Sequence, residues 1–204
     1  MSMKTLDQIT IECGADKGST HPVKGHDYAR HIDSAFETVR QSAAKVVEVG
    51  VGSGESIRSW LEYFENAKVF GVDIVHSTNE WNTVGAKPHP RYTFVTGDQS
   101  SEIFWQCFVV DYGSQWDVFV DDGGHSSQQI ITTFNMMWPH VAAGGFYGIE
   151  DLNCAYSSLP FFCSPGWQNH MDFIKDMLDQ INRKQNAIDS LRYANELVIL
   201  QKSR

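Results

Sequence analysis

The chain of 204 residues has no apolar run approaching the roughly 20 residues needed to span a bilayer. Its first residues, MSMKTLDQIT, hold no apolar stretch of the secretory type. A cytoplasmic protein without a membrane partner is the expectation. Cysteine is scarce. Cys13, Cys107, Cys154 and Cys163 lie far apart with no Cys-x-x-Cys pair, which argues against a zinc site or a disulfide framework and predicts reduced, mostly buried thiols. Positive charge is also in short supply: 16 Lys and Arg stand against 25 Asp and Glu, for a net charge of -9, and they are scattered rather than gathered into stripes. A phosphate backbone would be repelled, so nucleic acid is not expected as a partner and small neutral or cationic molecules are favoured. Repeats and low-complexity tracts are missing too. With 42% hydrophobic and 20% charged residues, the composition is that of one folded domain spanning residues 1–204.

From residue 45 onward, short β-rich runs alternate with helix-period segments, which predicts an α/β fold built on a mostly parallel sheet. KVVEVG reads as a strand ended by glycine. It leads into a helix in which Ile57, Trp60, Leu61 and Phe64 share one face. AKVFGVDI, RYTFVTGD, WDVFVDD and GGFYGIED read as further strands, with SSEIFWQCFVVDY and SSQQIITTFNMMWPHV as helices between them. A loop rich in Ser, Pro and Phe, CAYSSLPFFCSPGW, is placed to cover a substrate. A helix with Met171, Ile174, Leu178 and Ile181 on one face follows. SLRYANELVILQKS then closes the chain as an antiparallel pair about Ala-Asn. Seven strands with a terminal hairpin and helices on both faces is the order of the Rossmann-like class I methyltransferases. The stretch Trp81 to Pro90 is read as an irregular loop, and residues 1–40 as a segment partly outside the core.

In EVGVGSG, Gly50, Gly52 and Gly54 follow a strand and precede a helix, where missing Cβ atoms let a ligand approach the backbone. Asp73, followed by Ile74, ends the second strand, where a carboxylate can accept hydrogen bonds from both ribose hydroxyls. NAD and S-adenosylmethionine proteins share that arrangement, and ordinary loop polarity is the plain alternative. Charge separates the two cofactors. Glu55 stands where a pyrophosphate wants an uncluttered helix N-terminus, and Glu48 precedes the glycines, whereas a sulfonium carrying an ammonium tolerates acidic neighbours. Asp98 and Gln99 are candidates for the adenine edge and Ser56 for the methionine part; Asp121 is also placed on the cofactor side.

Strand four ends in DDGGH and strand five in IED, so Asp121, Asp122, His125, Glu150 and Asp151 meet at one sheet edge. Clustered carboxylates repel unless a cation neutralises them, and oxygen donors favour Mg²⁺ or another hard divalent ion. Strand alternation points Asp121 and Asp122 opposite ways, so Asp122 is taken as the ligand, with Glu150 and Asp151. His125, three residues on, is the candidate base, with helix capping as its structural alternative. His21, His76, His89, His140 and His170 show no such grouping and are expected at the surface.

As a connected series, DKGSTH with GHDY, EVGVGSG, YFENAKVFGVDI, GDQS, VFVDDGGH, WPHVAAGG, IEDLNCAY and NELVILQK resembles the metal-dependent O-methyltransferases of macrolide sugar tailoring, of the mycinamicin type, and cephalosporin hydroxylase-like proteins. The resemblance implies a methyltransferase domain that binds S-adenosylmethionine, Mg²⁺ on Asp122, Glu150 and Asp151, and His125 as base assisted by Asp122. It also implies an N-terminal segment closing the donor site, with Lys17, His26 and Tyr28, and a homo-oligomer. A small-molecule acceptor, a sugar or other natural product, is expected. Some relatives carry an extra N-terminal domain that the chain as given does not show, and its loop from Ala155 to Trp167 is its own, so the acceptor stays open. An NAD(P)-dependent oxidoreductase would carry a cleaner third glycine and a Tyr-Lys or Ser-Tyr pair. A non-catalytic binding partner would not need the acids and His125.

Overall fold

Short apolar runs that end in glycine or aspartate form the middle of the sheet. The computed structural model describes residues 3–21, 25–75 and 89–204. Helices α1 (Leu6–Cys13) and α2 (Ala29–Phe36) come first. The alternating part follows as β1 (Lys45–Val49), α3 (Glu55–Tyr63), β2 (Lys68–Asp73), β3 (Tyr92–Thr96), α4 (Glu102–Tyr112), β4 (Trp116–Asp121), α5 (Ser127–Met137) and β5 (Val141–Ile149). Helix α6 (His170–Asn182) and the hairpin β6 (Ile188–Ala194) and β7 (Leu197–Lys202) end the chain. The strand order is β3-β2-β1-β4-β5-β7-β6. The first five strands run parallel, and β7 is antiparallel to both its neighbours. The expected architecture is therefore present. Among the described residues no helix is long and apolar enough to cross a membrane.

Period-two alternation splits the core. Val46, Val118, Val120 and Phe146 pack with α1, α2 and α3 around Phe36, Trp60 and Phe64. Val47, Val49, Phe119 and Tyr147 pack on the opposite face with Trp105, Phe134 and Trp138. Both sheet faces are thus covered, as parallel strands require.

The register sets the functional edge. Val49 lies beside Val72 and Asp121, and Asp121 beside Ile149, so the residues that follow β1, β4 and β5 emerge level with one another. The strand order reverses between β1 and β4, the place where open α/β sheets bind ligands.

Several details differ from the sequence reading. Much of the described N-terminal segment joins the core: Leu6, Ile9, Tyr28, Ala29, Ile32 and Phe36 are buried in the first core cluster. Strand β5 begins at Val141 rather than at the Gly-Gly pair. Trp116 pairs with Val141 while Val118 pairs with Phe146, so an irregular register absorbs the glycines. On α6, Met177 is buried and Leu178 is half exposed, which rotates the expected apolar face by one position. The terminal hairpin turns on Asn195 and Glu196, both with positive φ, one residue later than expected. Cys107 and Cys163 are exposed, not buried. Residues 81–88 of the loop expected from Trp81 to Pro90, and His76, lie outside the described residues.

Candidate active site

The turn after β1 makes room for a ligand through close backbone packing. Gly50 has φ +85°, and a Cβ there would lie 1.9 Å from the Asp122 carbonyl oxygen, so the β1 and β4 turns approach closely because this position is glycine. Gly52, also left-handed at φ +51°, has nothing within 4 Å of its Cβ position and faces open space. The Asp73 carboxylate caps this turn. Its Oδ2 accepts hydrogen bonds from Val51 N (2.9 Å) and Gly52 N (3.2 Å), which fixes Asp73 at the lip of a cleft of about 590 Å³. Gly50, Gly52, Ser56, Asp73, Ile74, Asp98 and Asp122 all line that cleft.

Other donor-site candidates stand behind the wall. Glu48 is fully buried and accepts a hydrogen bond from Ser56 Oγ at 2.6 Å, and burial raises its carboxyl to about 7. Gln99 reaches the cleft, but its side chain is committed internally. Its Nε2 donates to Asp121 Oδ1 (3.0 Å) and Thr133 Oγ1 (3.3 Å), and its Oε1 accepts from Gly124 N (2.7 Å). The adenine contact expected of Gln99 thus meets an amide already spent as a strut. Asp98 is exposed and binds Ser100 through one oxygen, Oδ1. Asp121 is buried and does not line the cleft; burial raises its carboxyl to about 7.

The acid cluster lies at the ends of β4 and β5. Asp122 and Asp121 diverge as strand alternation demands, and Asp122 alone turns towards the other acids. One ligand atom each from Asp122, His125 and Asp151 falls within 4.8 Å of the others, a donor set of the kind a divalent ion takes. A second such group joins His26, Asp151 and Glu196. His125 has φ +57°, and its Nε2 lies 3.6 Å from Asp151 Oδ2. It does not cap α5: Ser126 does, in a capping box with Gln129. His125 is thereby left turned towards the acids. Tyr28 Oη donates to Asp151 Oδ1 at 2.8 Å.

The main departure is Lys17. Expected at the donor site, it is buried in the acid cluster instead. Its Nζ donates to Asp122 Oδ2 at 2.5 Å and to Glu150 Oε2 at 2.7 Å, and Glu48 Oε1 lies 3.5 Å away. Burial alone would lower its pKa, yet Asp122, Glu150 and Glu48 together raise it well above the usual lysine value, so the ammonium stays charged. Glu150, expected as a third ligand, is therefore turned towards Lys17 and belongs to neither donor group. Its other oxygen, Oε1, is buried with no hydrogen-bond partner among the described residues, a donor atom still available to a cation. The donor chemistry fits a hard divalent ion.

A family model described as a methyltransferase domain matches residues 47–152, a span that holds the glycine turn, Asp73, Asp98, Asp122, His125, Glu150 and Asp151. The chain belongs to this methyltransferase family. The domain is 34% identical over 159 residues to an L-olivosyl-oleandolide 3-O-methyltransferase of Streptomyces antibioticus, covering 74% of this chain and 38% of that protein. Over 180 residues it is 28% identical to the mycinamicin VI 2''-O-methyltransferase of Micromonospora griseorubida, covering 82% of this chain and 42% of that protein. The crystal structure of the MycE methyltransferase of mycinamycin biosynthesis, in complex with Mg and SAH, superposes with a TM-score of 0.83 at 25% identity, covering all of this chain and 56% of that one. The chain spans about two-fifths of the length of the curated relatives it matches.

The cleft is also lined by residues that the sequence did not single out. Gly14, Ala15, Asp16 and His21 line the cleft from the N-terminal segment, as does Phe161 from the Ala155–Trp167 loop. His21 was expected at the surface, and only the DKGSTH string hinted at its place. His170, also expected at the surface, is buried with its Nδ1 3.0 Å from Ser127 Oγ.

Proposed function

We propose that this domain performs S-adenosylmethionine-dependent, Mg²⁺-assisted methylation of a hydroxyl oxygen on a small acceptor, a sugar hydroxyl of a glycosylated natural product. The observation that carries the reading is Asp122. It lines the donor cleft and also belongs to the Asp122, His125 and Asp151 group, so methyl donor and activated hydroxyl would meet across one side chain. The relatives' printed activities support the acceptor class.

Asp122, Glu150 and Asp151 would hold a divalent ion, which would supply polarisation of the acceptor hydroxyl, as the donor's sulfonium would supply the transferable methyl. The chain's own residues do the rest. Asp73 keeps one oxygen on the glycine turn and presents the carboxylate to the ribose hydroxyls. Glu48, tied to Ser56, sets acidic potential behind the donor's cationic end. Asp98 stands at the exposed lip as the adenine contact. His125 Nε2 takes the hydroxyl proton, and the nearby Asp151 carboxylate stabilises the resulting imidazolium. Methyl transfer is an in-line displacement, so alignment and exclusion of water supply most of the rate. Tyr156, Leu159, Phe161 and Trp167, exposed on the loop beside the cleft, give an acceptor's apolar face somewhere to lie.

Calorimetric titration with S-adenosylmethionine and with NAD, each with and without Mg²⁺, tests the reading. It predicts saturable binding of S-adenosylmethionine and none of NAD; binding of NAD alone would overturn it.

A further inference from the structure

Lys17 is a lysine at 1% exposure whose ammonium touches carboxylates from three strand ends. Glu48 comes from β1, Asp122 follows β4 and Glu150 follows β5. A buried lysine is retained only when it is paired, and this one has more acid around it than one charge can balance. Asp122 belongs at once to Lys17 and to the grouping with His125 and Asp151. Two cations drawn to one carboxylate within a few ångström repel each other strongly in such a poorly solvated place. The backbone that carries Lys17 is anchored on both sides: His26 N donates to Asp16 O before it, and after it Ala29 N donates to Lys17 O and Ser19 is held by Asp7. The four-carbon stem is therefore the part that gives way.

We propose that Lys17 is a built-in counter-cation that competes with the divalent ion for Asp122 and Glu150. It neutralises the acids while no metal is there and yields them when metal enters. The inference rests on the reading of the acid cluster as a metal site. It adds a positioning residue that sets how tightly the ion is held and how stable the metal-free fold is. A lysine that organised the ligands for metal would act in the opposite direction, because its removal would weaken metal binding.

The test is Lys17→Met, close to lysine in shape, with Lys17→Arg as the charge-retaining variant. Calorimetric Mn²⁺ affinity and melting temperature with and without Mg²⁺ are measured at pH 8. K17M is expected to bind Mn²⁺ at least tenfold more tightly than the natural chain. Its melting temperature should fall without metal and recover on adding Mg²⁺, while K17R stays within about threefold of the natural Mn²⁺ affinity. If K17M does not fold without metal, acetic anhydride labelling of the natural chain decides: Lys17 should acetylate several-fold faster with Mg²⁺ than without. Equal or weaker Mn²⁺ binding by K17M, a melting loss that Mg²⁺ does not repair, or unchanged Lys17 labelling would overturn the proposal. No Mn²⁺ binding by the natural chain or by K17M would overturn the metal reading itself, and this inference with it.

Discussion

Replacing Gly50 with Ala tests whether the site depends on the close approach of the β1 and β4 turns. Two costs add. A side chain held at φ +85° costs roughly 1–3 kcal/mol. The new Cβ would also lie 1.9 Å from the Asp122 carbonyl oxygen, a backbone atom that cannot rotate away. The turns must separate, which strains the 2.9 Å bond from Asp122 N to Val49 O, worth about 1 kcal/mol. The sum is about 2–4 kcal/mol, or a melting temperature lowered by roughly 10 °C for a domain of this size. Gly52→Ala is the control. Its φ of +51° lies where other residues are tolerated at about 1 kcal/mol, and nothing overlaps, so melting should fall by only about 3 °C. Its methyl would intrude on the donor's space, so S-adenosylmethionine affinity should drop more than stability does. Scanning calorimetry with donor titration reads both. A G50A variant melting within 3 °C of the natural chain, or a G52A variant losing as much as G50A, would refute the reasoning.

Three further outcomes follow from the site. His125→Ala should lower kcat by about 10²- to 10⁴-fold while leaving the donor dissociation constant within about threefold, as separate turnover and binding measurements would show. Asp73→Ala removes the carboxylate that accepts from Val51 N and Gly52 N, so it should weaken donor binding by about tenfold or more with little change in Mn²⁺ affinity. Burial raises Asp121 to about 7, so the folded chain holds that proton more tightly than the unfolded chain does. Its contribution to stability therefore falls as pH rises from about 4 to about 7. Asp121→Asn keeps an acceptor for Gln99 and removes the titration. The loss of stability between pH 5 and pH 7.5 should shrink by roughly 3 kcal/mol in denaturant melts, and an unchanged slope would count against this assignment.

The parallel strands were legible because a buried strand writes itself as an apolar run ended by glycine or aspartate. KVVEVG and WDVFVDD therefore gave β1 and β4 almost to the residue. Strand alternation likewise gave the divergence of Asp121 and Asp122. The N-terminal helices were not legible. α1 is only eight residues long, and its core contacts with α3 depend on tertiary packing that no local period records. The place of Lys17 was hidden for the same reason. Its partners Asp122 and Glu150 lie 105 and 133 residues away, so nothing local to DKGSTH records the acids that the sheet brings around it. The internal bonds of Gln99 were not legible, because a polar residue at a strand end shows nothing of Asp121, Thr133 and Gly124, which take up its amide while it lines the cleft.

The most direct test of the account is methyl transfer itself. Labelled S-adenosylmethionine is incubated with a panel of glycosylated natural products and free sugars, with Mg²⁺ or with excess chelator. The account predicts that label enters an acceptor oxygen only with Mg²⁺ and that chelation abolishes transfer. Transfer at an undiminished rate in chelator would contradict the role given to Asp122, Glu150 and Asp151.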